Sequence, residues 1–332
     1  MNFSIRDEII IAICYASIFN DALTKKELEC KLNLKDNIVL DKELDKLMSE
    51  KKIRKFDSFY FLNCQVNREF KNIKSEHKYN SIRLIEKNRF WLNILCKIKF
   101  IKFIAVTGSV AHFNAKKGGD LDLFIITKNN RLHIVSTLLL IVGKINRVLK
   151  KLNFRNFNYD LCPNYMLELS NLEIKNKSYY TAHESINLII VKDDNIYNRF
   201  LNENLWIRRY FPRKTINECK KTLNEDFSLL KALNIILYLA CYSYSNIKQS
   251  ILKNDLSYSI KYSNNRPNSI NSRIHVGGGY QPQIMQKFCL LHSKHFMSNQ
   301  KLYDFLFPMT YKDGIMVSNK LYKSKSGNLN YE

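Results

Sequence analysis

Several features that would assign this chain to a class at once are missing from it. Its eight cysteines form no C-x-x-C pair. They stand singly at Cys14, Cys30, Cys64, Cys96, Cys162, Cys219, Cys241 and Cys289, most of them inside apolar runs. That scatter argues against structural zinc and fits reduced core cysteines in a cytoplasmic protein. The opening "MNFSIRDEII" puts Asp7 and Glu8 where a signal peptide would carry its basic and apolar regions, so no leader is expected. The longest apolar stretches, residues 132–143 and 229–243, fall short of the ~20 residues of a membrane span, and the second contains Lys231. Both read as buried helices, and no membrane partner is expected. There is no dense basic block, no arginine-rich tail and no internal repeat.

What is present is 332 residues, 45% of them hydrophobic, with a formal charge of +23. That length can bury a core in two or three domains. The charge suits a polyanionic partner or an anionic substrate such as a nucleotide. The lysines are spread along the chain, however, so a nucleic-acid partner is not favoured.

Residues 1–67 read as one unit. "IRDEIIIAICYASIF" has helical spacing. Thr24, with Glu27 three residues on, is a capping-box pattern at the head of a second helix. A third helix carries Leu40, Leu44 and Leu47 on one face. Two short strands follow around Asp57 and Ser58. Three helices and a hairpin are the order of a winged helix, whose usual partner is DNA. The third helix, where a recognition helix would lie, carries Asp41, Glu43, Asp45 and Glu50, which suits a phosphate-lined groove poorly. Packing or protein contact is at least as good a use of the unit. Residues 68–99 read as a connecting helix, and residues 68–215 as a second domain. Strands are expected at 103–106, 121–126 and 157–169, a long helix at 131–151, and a helical region from Tyr179. Residues 216–332 are expected to be helical, with a flexible loop at 261–282 and a short helix near 283–296.

The segment "VTGSVAHFNAKKGGDLDLFIIT", residues 106–127, carries the chemistry. Asp120 and Asp122 lie two apart on a strand, so they share a face. Buried like charges repel, and a metal would offset that cost. Paired carboxylates at a strand end suit two Mg²⁺ ions, which share oxygen ligands with substrate phosphates and can act on both sides of an in-line displacement at phosphorus. Gly108 and Ser109 end the preceding strand. Gly108 frees the backbone to turn, and Ser109 offers a hydroxyl and backbone N–H groups to a phosphate.

Gly-Ser, a loop, then Asp-x-Asp in an apolar frame resembles the signature of the nucleotidyltransferase superfamily, which includes DNA polymerase beta. Ser109 and Asp120 are eleven positions apart, within that family's range. "CPNY", "TAHE" and "NLWIRRYFP" are further similar to bacterial and archaeal proteins with such a domain behind a winged-helix-like N-terminus. The resemblance implies a fold of the α/β (α+β) class with a small mixed sheet. It implies that Gly108 and Ser109 bind the β- and γ-phosphates of an NTP and that Asp120 and Asp122 hold Mg²⁺. It also implies a third carboxylate on a later strand, which helps hold metal and deprotonates the acceptor. Asp160 is the candidate by chain order; Asn164 and Glu168, also even-numbered, share its face if the strand runs straight. The acceptor, whether small molecule, protein or RNA end, is not named by the sequence.

The remaining candidates carry less. His112 reads as a solvent-exposed loop histidine, and Lys116 and Lys117 as solvated charges beside the same loop. His183 and Glu184 read equally as the wall of a base or acceptor pocket and as a structural pair. His292 and His295 lack a third metal ligand nearby. Trp206 reads as core.

Overall fold

A computed structural model describes residues 4–32, 34, 37–62, 69–152, 159–174, 177–213, 229–251, 272–274, 309–312 and 315–318. The protein is α+β, with helices packed on both faces of a mixed sheet.

The first unit comprises α1 (Ile5–Ile18), β1 (Leu23–Thr24), α2 (Lys25–Leu32), α3 (Asn37–Ser49), β2 (Ile53–Phe56) and β3 (Phe59–Leu62). Its three strands form an antiparallel sheet in the order β1-β3-β2. Capping boxes open α1 and α2, the second as expected. Ser4 accepts from the backbone of Asp7, and the Asp7 carboxylate accepts in return. Thr24 and Glu27 do the same for α2. Leu40, Leu44 and Leu47 are fully buried.

A single helix was expected over 68–99; the structure has two, α4 (Phe70–Lys87) and α5 (Arg89–Lys97). The break falls at Asn88, which is wholly buried. Its amide donates to the Leu84 carbonyl, and its Oδ1 accepts the backbone N–H of Asp160. A polar side chain that satisfies both ends inward can turn the chain at a buried position.

The central sheet is built from β4 (Ile101–Val106), β5 (Leu121–Thr127), β6 (Leu161–Glu168), β7 (Ile189–Asp193) and β8 (Ser272–Ile274), in the order β7-β4-β5-β6-β8. Only β5 and β6 run parallel, and α7 (Leu132–Lys151) connects them, as a parallel crossover requires. Glu168 fixes the start of that helix by accepting from the backbone of Arg131 and Leu132. Two expectations fail at the sheet's edges. The region after Tyr179 is helical only through α8 (Tyr179–Ile186), and then β7, with β-branched Ile189 and Ile190 opposite Val106 and Ala105, pairs with β4. Residues 272–274, inside the expected loop, pair with β6. The chain continues through α9 (Tyr197–Glu203) and a 3₁₀ turn (Leu205–Arg209) carrying the partly buried Trp206. After α10 (Leu229–Ile251), a hairpin of β9 (Met309–Lys312) and β10 (Ile315–Ser318) stands in what was read as a helical region. The helix expected near 283–296 lies outside the described residues, as do His292 and His295.

Two cores sit on opposite faces of the sheet. One holds Ile104, Val106, Leu123 and Ile125 against α4, α5 and α7. The other holds Phe103, Ala105, Phe124 and Ile126 against α8, α9 and the whole first unit, in one continuous cluster. The first unit therefore shares a hydrophobic core with the sheet.

Candidate functional site

The loop between β4 and β5 is held at several points. Its first residues form a four-residue helix, α6 (Gly108–Ala111). Thr107 N–H donates to the Asp122 carbonyl at 2.9 Å, and Asn114 N–H to the Ser109 carbonyl at 2.8 Å. Ser81 of α4 accepts the buried N–H of Ala115 at 3.0 Å. Ser109 and Asp120 are exposed, as are Lys116 and Lys117, while Gly108 and Asp122 are partly buried.

Gly108 has a φ of +65°, in the left-handed region that favours glycine. A Cβ there would lie 2.5 Å from Asp122 Oδ2. The turn and the carboxylate are therefore in direct contact, and only a residue without a side chain fits between them.

Asp120, Asp122 and Cys162 each offer a ligand atom within 4.8 Å of the others. Asp122 and Cys162 are register partners on the parallel strands β5 and β6. Burial, then Asp120, then Glu184 push the Asp122 carboxyl up to about 8. Burial and the same two aspartates raise the Cys162 thiol. A raised thiol stays protonated and can donate to the carboxylates.

Asp160 is placed elsewhere. It precedes β6, and its carboxylate pairs with Lys87 of α4 at 2.6 Å. The rule that put Asn164 and Glu168 on its face fails at a bulge. Leu123 is opposite Pro163, but Phe124 is opposite Tyr165, so Asn164 is skipped and parity inverts. Glu168 is then opposite Thr127 and caps α7. The position beside the aspartate pair belongs to Cys162. Sequence reasoning passed over it, although it lies two residues after Asp160 with the same parity.

Glu184 was also underread. Its Oε2 accepts from Gly108 N–H and from the Thr107 hydroxyl, each at 3.1 Å. Its Oε1 lies 3.1 Å from His112 Nε2 and 3.6 Å from His183 Nδ1. His112, expected to be solvent-exposed, is thus partly buried against a carboxylate. Burial works to raise the Glu184 carboxyl, but the charge and hydrogen bond of His112 and the contact with His183 hold it well below its ordinary value. Burial, then the charge of Lys31, lowers His183 to about 3, so its ring is neutral.

No family model, curated protein or solved structure matches the chain.

Proposed function

We propose that the protein is a metal-dependent nucleotidyltransferase, moving a nucleoside monophosphate from an NTP to a hydroxyl-bearing acceptor with release of pyrophosphate. One observation carries this reading: a left-handed glycine turn in contact with Asp122, whose carboxyl is raised by burial beside a second carboxylate. A site that gathers like charge next to a backbone turn suits a cation and a phosphate together. Asp120 and Asp122 fit a hard divalent ion such as Mg²⁺, and two ions would suit the triphosphate. Bound there, the metal would neutralise charge on the phosphates. Ser109, exposed at the turn, would donate to the phosphate chain, and Lys116 and Lys117 would draw a polyanion toward the loop. The acceptor oxygen would bond to the α-phosphorus as the bond to pyrophosphate breaks, and its proton would pass to solvent.

Cys162 favours a second reading, nucleotide binding without turnover. A protonated thiol stands beside the aspartate pair, on the next strand, where the resemblance implied a third carboxylate, and a thiol is a poor base while protonated. The DNA-binding reading of the first unit gains nothing comparable, since its α3 exposes Asp41 and Asp45 beside Lys42 and Lys46.

Thermal melts with each NTP test the binding. Mg²⁺ and the right NTP are expected to raise the melting temperature, and chelator to abolish most of the rise. Equal shifts in both conditions overturn the metal-bridged site. Incubation with α-labelled NTP and a cell extract then separates the two readings. Labelled acceptor and released pyrophosphate support transfer, and metal-dependent binding without either supports the second reading.

A further inference from the structure

Glu184 belongs to α8, yet it holds the turn at the end of β4. Both of its oxygens are engaged, one by Gly108 N–H and the Thr107 hydroxyl, the other by His112, and His183 Nδ1 lies 3.6 Å from that second oxygen. His183 is held in turn from the first unit: Lys31 of α2 places its Nζ 3.3 Å from His183 Nε2. With Lys31 as the ammonium, which can only donate, Nε2 accepts and the ring proton sits on Nδ1, facing Glu184. Tyr15 of α1 lies against the same imidazole, with ring centroids 4.3 Å apart. A line of neighbouring polar groups therefore runs from α2 to the backbone of Gly108, its His183–Glu184 step a 3.6 Å electrostatic contact.

The line is buried at its centre and partly buried at Lys31, Glu184 and Gly108, which keeps each contact largely out of water. His183 is 4% exposed. A carboxylate accepting a backbone N–H makes a charge-assisted bond, stronger than a neutral one and more directional. Gly108 adopts its left-handed conformation at a residue with unusual backbone freedom, so something must select that conformation. The Glu184 carboxylate of α8 accepts the Gly108 N–H at 3.1 Å, and Ser109 next to it is exposed.

We propose that Glu184 is a positioning residue for the phosphate-binding turn, and that Lys31, acting through His183, completes it. On this account the N-terminal unit is an integral part of the site and not a detachable module. The identity of the ligand rests on the nucleotidyltransferase reading; the bracing of Gly108 can be measured without any ligand.

The full-length chain serves for the test. Amide hydrogen exchange at Gly108 reads the brace, and calorimetric titration with Mg·ATP, with Mg²⁺ and inorganic tripolyphosphate in parallel, reads the site. Glu184→Gln is expected to speed Gly108 exchange and weaken Mg·ATP binding, each by about tenfold. Lys31→Met is expected to do the same by about threefold, and Lys31→Arg to recover most of that loss. Lys55→Ala, on the hairpin of the same unit, should leave both readouts at wild-type values. If Glu184→Gln does not fold, Thr107→Val, which removes one donor to the same carboxylate, takes its place. A lower melting temperature with unchanged Gly108 exchange would mean an ordinary structural acid and overturn the proposal. So would wild-type exchange and affinity in Lys31→Met. Failure of the wild type to bind any NTP or tripolyphosphate, with Gly108 exchange still dependent on Glu184 and Lys31, would sink the nucleotidyltransferase reading and leave the brace standing.

Discussion

Asp122 and Glu184 are both carboxylates withdrawn from water beside Gly108, one facing like charge and the other facing donors. Around Asp122 stand Asp120 and a protonated thiol, and its carboxyl rises to about 8. Around Glu184 stand two histidines, a hydroxyl and a backbone N–H, and its carboxyl falls well below the usual range. The same chemical group is thus compensated by the fold in one place and, but for the Cys162 thiol, left uncompensated in the other. Compensation marks a part of the framework. Its lack marks a place where the fold gives up stability, as sites that await a ligand do.

The largest effect should come from breaking the compensated carboxylate. Glu184→Gln in chelator is expected to lose ~2–4 kcal/mol by urea unfolding, since it leaves a buried network short of its anion. Asp122→Asn under the same conditions should match or exceed wild type. An Asp122→Asn protein clearly less stable than wild type would erase the contrast.

Next in size is the dependence on pH. Asp122 is raised in the folded state, so its contribution is fully present below about pH 4 and is lost as pH climbs through about 8. Glu184 is depressed, so its contribution is present above the ordinary carboxylate range and is lost only as pH falls through its low folded value. Unfolding free energies from urea titrations in chelator should therefore fall between pH 5 and 9, by an amount on the order of 1–3 kcal/mol. The Asp122→Asn protein should lack most of that slope, and Mg²⁺ should flatten it in wild type.

Cys162 offers a smaller, more selective perturbation. Cys162→Asp adds a third carboxylate to the pair, and should cost ~1 kcal/mol without metal while raising Mg²⁺ affinity. Cys162→Ser should weaken Cd²⁺ or Zn²⁺ binding more than Mg²⁺ binding, because thiol ligands favour softer ions. Identical losses for all three ions in a titration would remove the thiol from the site. Smallest of all should be Asp160→Asn. Its pair with Lys87 is partly exposed, so the change should cost under ~1 kcal/mol. Mg·ATP affinity should stay within about twofold; a larger loss would bring Asp160 into the proposed site.

How the sequence discloses such a site is uneven. Gly108, Asp120 and Asp122 are local: a glycine at a strand end and two acids at period two can be read within a single segment, and the structure brings them together. The third partner is not local. Finding Cys162 requires the register of β6 against β5, and a bulge at Asn164 defeats counting by alternation. Glu184 required knowing that α8 packs over the turn, which no spacing along the chain encodes. The fold shows the same division. Helices with caps and apolar stripes are where they were expected, such as α2 and α3. The break at Asn88 depends on a hydrogen bond to a residue far along the chain, and β7 and β8 are strands only because β4 and β6 offer them edges.

The shared core has a consequence for how the chain is made. The first unit is complete by Leu62, but the partners that cover its inner face, among them Tyr179, Ala182, Phe200 and Ile207, are translated more than a hundred residues later. At ordinary synthesis rates of about 5–20 residues per second that is a delay of roughly 6–30 s. During that interval Ile11, Tyr15 and their neighbours lie bare outside the ribosome, and a trigger-type holdase or a neighbouring nascent chain has time to reach them before α8 does.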